Sequence, residues 1–138
     1  MSTEDVVVPG WPAPKGYANG RFGKGRVLHI GGQIGWVPGA DGKMTFPASD
    51  LVGQFATTLD NILEIVRAAG GWPTDIATMT VFVTDIPAYR ASQKAIGAVW
   101  RDRLGKHFPA MALVGVTELV EPEALVEIQA TAYLGDKP

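Results

Sequence analysis

A chain of 138 residues with 46% hydrophobic and 19% charged side chains is expected to form one globular domain over residues 1–138, which excludes a disordered or fibrous class. A formal net charge of −2 gives no basic face for nucleic acid, and the longest apolar run, Ala110 to Val116, is far short of the ~18 residues of a membrane span. There is no cysteine, and His29 and His107 are the only imidazoles, so disulfides, thiolate metal sites and a Cys nucleophile are ruled out.

The opening Met1-Ser2-Thr3-Glu4-Asp5 is acidic and lacks the basic-then-apolar order of a secretory leader, so a cytoplasmic protein is expected. Residues 1–16, with Pro9, Pro12 and Pro14, read as an irregular lead-in. Tyr17 to Phe22 and Arg26 to Ile34 read as two strands joined by a tight turn at Gly23-Lys24-Gly25. After a loop marked by Pro38-Gly39 and Asp41-Gly42, Ser49 or Asp50 is placed to cap a helix. Leu51, Phe55, Leu59, Ile62 and Val66 recur at three- and four-residue steps and share one face, and Gly70-Gly71 with Pro73 ends the helix.

Ile76 to Val83 is β-branched and aromatic and is predicted to be a strand. Thr84-Asp85 caps a second helix with Pro87 in its first turn, and Gly105 and Pro109 end it. Ala110 to Val116 and Ala124 to Leu134 close the chain as strands. The order β-β-α-β-α-β-β predicts an α+β fold, one mixed sheet with both helices on one face. In the last strand Leu125, Glu127, Gln129, Thr131 and Tyr133 alternate with a fully apolar set, and the Ile76 and Ala110 strands carry no charge on either side. A sheet face so poor in charge is expected to meet another subunit rather than water.

Several segments resemble the RidA/YjgF family in register and in order. They are Gly31-Gly32-Gln33-Ile34, Thr80-Val81-Phe82-Val83-Thr84-Asp85, His107-Phe108-Pro109-Ala110, and Leu125-Val126-Glu127-Ile128-Gln129-Ala130. The resemblance runs from about Tyr17 to Tyr133. It implies a chorismate-mutase-like homotrimer whose sheets form a central barrel, with small-molecule pockets at the subunit clefts. It also implies hydrolysis of reactive imines or enamines to a carbonyl compound and ammonia without a cofactor or metal. By the same resemblance Glu127 orders the attacking water, while Tyr17, Gly31, Gly32, Gln33, Met111 and Leu113 bind substrate. The chain departs from the family's pattern at Met111, where the deaminase type has an arginine for the substrate carboxylate, and at Gly31, where it has a serine. Methionine cannot replace a bidentate guanidinium, so a substrate other than the usual amino-acid-derived imine is expected, or a second cation from Arg21, Arg26 or Lys15.

Each candidate also has a plainer reading. Glu127 fits an outward carboxylate on a half-exposed strand, and Gly31-Gly32 fits a bulge needed only for curvature. Met111 and Leu113 fit core positions. His29, on the strand face counted with Gly31 and Gln33, fits a structural histidine. The functions weighed are an imine or enamine deaminase, a non-catalytic small-molecule-binding or chaperone-like trimer, and a ribonuclease.

Overall fold

The computed structural model describes residues 2–135. In chain order these form β1 (Thr3–Asp5), β2 (Arg21–Gly23), β3 (Val27–Ile34), β4 (Val37–Pro38), β5 (Met44–Thr45), α1 (Leu51–Ala68), a 3₁₀ turn (Pro73–Asp75), β6 (Ile76–Val83), α2 (Ile86–Ala91), α3 (Gln93–Leu104), β7 (Ala110–Gly115) and β8 (Val126–Tyr133). The central sheet runs β3-β8-β6-β7, with β6 and β7 parallel and the other pairs antiparallel. The fold is α+β with one mixed sheet, and α1 lies across β3 and β8 and against α3. Among the described residues no helix is long and apolar enough to cross a membrane.

The apolar stripe of α1 is its contact with the sheet: Leu51, Phe55, Leu59, Ile62 and Val66 are all buried, against Met79 and Val81 of β6 and Ile128 and Ala130 of β8. Each such side chain contributes about 1.5–3 kcal/mol through burial. Asp50 is the cap, its carboxylate accepting the Gly53 N–H at 3.1 Å. At the other end Gly70 turns into the left-handed region (φ 85°), which a Cβ would oppose. Asp85 caps the next helix by accepting the Ala88 N–H at 2.9 Å. The single second helix expected after it is broken at Ser92 into α2 and α3, where the Ser92 N–H bonds back to Tyr89 O.

The expected hairpin between Tyr17–Phe22 and Arg26–Ile34 is not formed. Only Arg21–Gly23 is a strand, and its partner is β1, inside the lead-in read as irregular. Long-range side-chain bonds explain the choice. Arg21 donates to Thr3 Oγ1 at 3.0 Å and pairs with Asp5, Thr3 Oγ1 donates to Thr74 O at 2.6 Å, and Ser2 Oγ bonds to Asp75. Between β2 and β3, Gly25 (φ 112°) passes so close to Gly135 that a Cβ would lie 2.5 Å from its backbone. The ends of the expected domain, Met1 and residues 136–138, lie outside the described residues.

Candidate functional site

The sheet has a covered face and an open one. Val126, Ile128, Ala130 and Ala132 of β8 point under the helices, and Glu127, Gln129, Thr131 and Tyr133 point away. Glu127 lies opposite Phe82 on β6, which in turn lies beside Val114 on β7, so all three share the open face. Of the described side chains there, only Glu127, His29 and the Tyr133 phenol are ionisable. The remainder are threonines, alanines, an amide and apolar groups, among them Val27 at 47% and Val114 at 42% exposure.

The glycines of β3 shape the ground beside Glu127. Ile30 pairs with Ala130, yet Gln33 pairs with Ile128, so a bulge sets Gly31 and Gly32 together opposite Gln129. A Cβ on Gly32 would lie 2.8 Å from Cδ of Glu127 and closer still to Oε2. The bare backbone is thus the floor on which the carboxylate rests. The Glu127 carboxylate has no hydrogen bond or ion pair to any described residue. The bulge also reverses the side-chain phase beyond it. Gln33 therefore falls opposite to His29 and Glu127, contrary to the simple count that grouped His29, Gly31 and Gln33, and its Nε2 donates to Gly31 O at 3.2 Å.

Tyr17, Met111 and Leu113 gather elsewhere, at the β7 edge. Ala18 forms a bridge to Ala110 and donates its N–H to Pro109 O at 2.9 Å, which brings Tyr17 against the start of β7. Met111 and Leu113 pair with Met79 and Val81 and so face the helices. They serve both readings, packing on the core and lining a cavity of about 490 Å³ under α3. Trp100 and Phe108 are stacked at 5.9 Å with planes 5° apart and form one wall, and Tyr89 and Gln93 another. Burial raises the Tyr89 phenol above its ordinary value, so it stays a neutral donor.

Lys15, Arg101 and Lys106 complete the cavity, and no Asp or Glu among the described residues lines it. Of the cations expected as a second charge, Lys15 lines this cavity, whereas Arg21 is committed to β1 and Arg26 is absent from the lining. Sequence reading missed Gln93, Gly97, Arg101 and Lys106. Gly97 was the available signal, a glycine in a helix interior. The two groups of candidates lie apart: Glu127 on β8 is two strand spacings and Gly31 and Gly32 on β3 are three from β7, whose Met111 and Leu113 face the helices with Tyr17 at the same edge, so they do not converge within one chain. Among the described residues no three His, Asp or Glu side chains converge as a metal ion would require.

Comparison with known proteins places this geometry. The family model described as Endoribonuclease L-PSP matches residues 12–134. A RutC family protein of Sulfurisphaera tokodaii is 30% identical over 96% of this chain and 99% of its own. A 2-iminobutanoate/2-iminopropanoate deaminase of Capra hircus is 33% identical over 80% of this chain and 74% of that protein. The crystal structure of YyfB, a member of the conserved Rid protein family from Yersinia pestis, superposes with a TM-score of 0.81 at 31% identity, covering 97% of this chain and 100% of that one. A sheet of this order with these helices, matched over nearly the whole chain, makes this protein a member of the RidA/YjgF family.

Proposed function

We propose that the protein is a cofactor-independent hydrolase of small reactive imines or enamines, working in the cytoplasm at clefts between the subunits of a homotrimer. The observation that carries this reading is the Glu127 carboxylate, unpaired and half-buried over the bare backbone of Gly32. A related protein named as an imine deaminase supports it. A trimer is supported by the nearly uncharged open face and by the separation of the candidates onto opposite edges. A closed head-to-tail ring would set the β7 edge of one subunit against the β3–β8 edge of the next and so complete each site.

In the proposed reaction Glu127 accepts a proton from water as its oxygen bonds to the imine carbon, and the C=N π electrons pass to a protonated nitrogen. The resulting carbinolamine collapses: Glu127 returns its proton to the nitrogen, the C–N bond breaks as C=O forms, and the hydroxyl proton goes to the departing ammonia, which leaves as ammonium. Before attack, the same carboxylate stabilises the cationic iminium. Met111 gives no donor to a substrate carboxylate, so imines of ordinary small amino acids are expected to be poor substrates.

The test is imine decay with the imine generated by an amino-acid oxidase. The unaltered protein should accelerate decay of at least one imine, and Glu127→Gln should lower the rate by about 10²–10⁴ while leaving ligand binding intact. Equal rates for the two proteins would refute catalysis by Glu127. A non-catalytic binding trimer is the second reading, and the specific observation behind it is that the cavity under α3 is built without Glu127. Of the two histidines a ribonuclease could use, His107 is buried with Nε2 donating to Ile76 O at 2.8 Å, which leaves His29 as the one exposed imidazole.

A further inference from the structure

The cavity under α3 is apolar within and cationic at its rim. Trp100, Phe108, Met111 and Leu113 supply the apolar surface, and Arg101, Lys106 and Lys15 supply the charge. Three cations elsewhere among the described residues form ion pairs, Arg21 with Asp5, Arg67 with Glu64, and Arg103, on the same helix as Arg101, with Asp60, and of the others Arg101, Lys106 and Lys15 gather at one cavity. Arg101, Lys106 and Lys15 have no ion pair or side-chain hydrogen bond to any described residue. In an acidic chain, with 14 Asp and Glu against 12 Lys and Arg, three cations thus line this cavity with no carboxylate among the described residues beside them.

Gly97 is the independent sign. It sits inside α3, where glycine costs about 1 kcal/mol relative to alanine. It lines the cavity, and a Cβ built on it would meet Nη1 of Arg101 at 3.4 Å. The guanidinium therefore folds back one helical turn, in the direction long helical side chains favour, and lies over the gap that Gly97 leaves. A planar fork there, on an exposed side chain whose donors have no partner among the described residues, matches a carboxylate with two parallel N–H···O bonds. The apolar floor strengthens that attraction by excluding water from one side.

We infer that this cavity takes an amphipathic organic acid, its carboxylate held by Arg101 with Lys106 and Lys15 at the rim and an aryl or branched-alkyl body against Trp100, Phe108 and Met111. The guanidinium lies on α3 rather than on β7, so the acid has to span the apolar floor to reach it. Short acids without such a body reach only one of the two halves. As an account of substrate choice this rests on the hydrolase function proposed above; as ligand binding it does not.

The test is calorimetric titration of the full-length assembled protein with 4-phenylbutyrate, 4-phenylbutan-1-ol and butyrate. The aryl acid should bind about tenfold or more tightly than either the neutral alcohol or the short acid. Its affinity should fall with added salt. Arg101→Gln should weaken it about tenfold, while Arg67→Gln, at an exposed pair on α1, should leave it unchanged. Equal affinity for acid and alcohol, no salt dependence, or no binding of the acid would each overturn the inference on the unaltered protein, whether or not the variants fold. Binding without any imine hydrolysis would leave the inference standing and sink the proposed catalysis. Hydrolysis without binding of the aryl acid would sink the inference alone.

Discussion

Replacing Gln54 by leucine tests how the helix layer holds the strand that carries Glu127. Gln54 is 1% exposed on α1. Its Nε2 donates to Ala48 O at 3.2 Å and Glu123 O at 3.0 Å, and its Oε1 accepts the Leu125 N–H at 2.8 Å. One amide thus ties the entrance of α1 to the segment that leads, two residues later, into Glu127. Leucine keeps the volume but leaves two carbonyls and one N–H without these partners, at about 1–3 kcal/mol for each group that stays dry. Ala48 and Glu123 lie near the surface, where water reaches their carbonyls, so the low end applies and the total is about 3 kcal/mol. For a chain of this length, with an unfolding entropy of about 2.1 cal/mol/K per residue, that lowers Tm by roughly 10 °C. Thermal unfolding followed by circular dichroism measures it. A loss under about 3 °C would show that the three backbone groups find water, and that the buried amide is not what anchors this end of β8.

Gly32→Ala places a methyl group where the Glu127 carboxylate now rests. The colliding atoms are the end of a flexible side chain, so Tm should move by less than about 3 °C, while imine decay should fall nearly as far as in Glu127→Gln; an alanine variant with full activity would separate the glycine from the site. His107 gives a pH dependence. Burial, the largest influence, holds its pKa below the usual 6.5, although its bond to Ile76 O and the nearby Asp5 and Asp75 oppose that shift and Arg21 adds to it. A lowered native pKa means the unfolded chain binds the proton first, so stability is complete above pH 6.5 and declines as pH falls from there toward the native value. Tm measured from pH 7.5 down to 5 should follow this slope, and a flat profile over that range would show that the imidazole is not held neutral by its surroundings.

Much of this architecture was already written in local pattern. The stripe Leu51, Phe55, Leu59, Ile62, Val66 predicts α1 because the side chains of one helix face must all find the same neighbour. Asp50 and Asp85 mark helix starts for reasons confined to a single turn. The β-branched run Ile76–Val83 and the alternation from Val126 to Tyr133 place β6 and β8 within a residue or two. Gly31-Gly32 announced an irregularity in β3, and a bulge is there.

The candidate site was only half legible, because its geometry depends on partners far away in the chain. A count of alternation cannot see that the bulge reverses the phase of Gln33, since this depends on the register against β8. Nothing near Arg21 reveals that its strand partner is Thr3–Asp5, a choice made by side-chain bonds to the Thr74–Asp75 turn. That Glu127 and Met111 stand on opposite faces follows from the order β3-β8-β6-β7, and the cationic rim exists because α3 folds back over β7. Period and capping act between residues a few positions apart and can be read from the string of letters. Register, strand order and cavities arise between residues that are distant in sequence, and packing alone settles them.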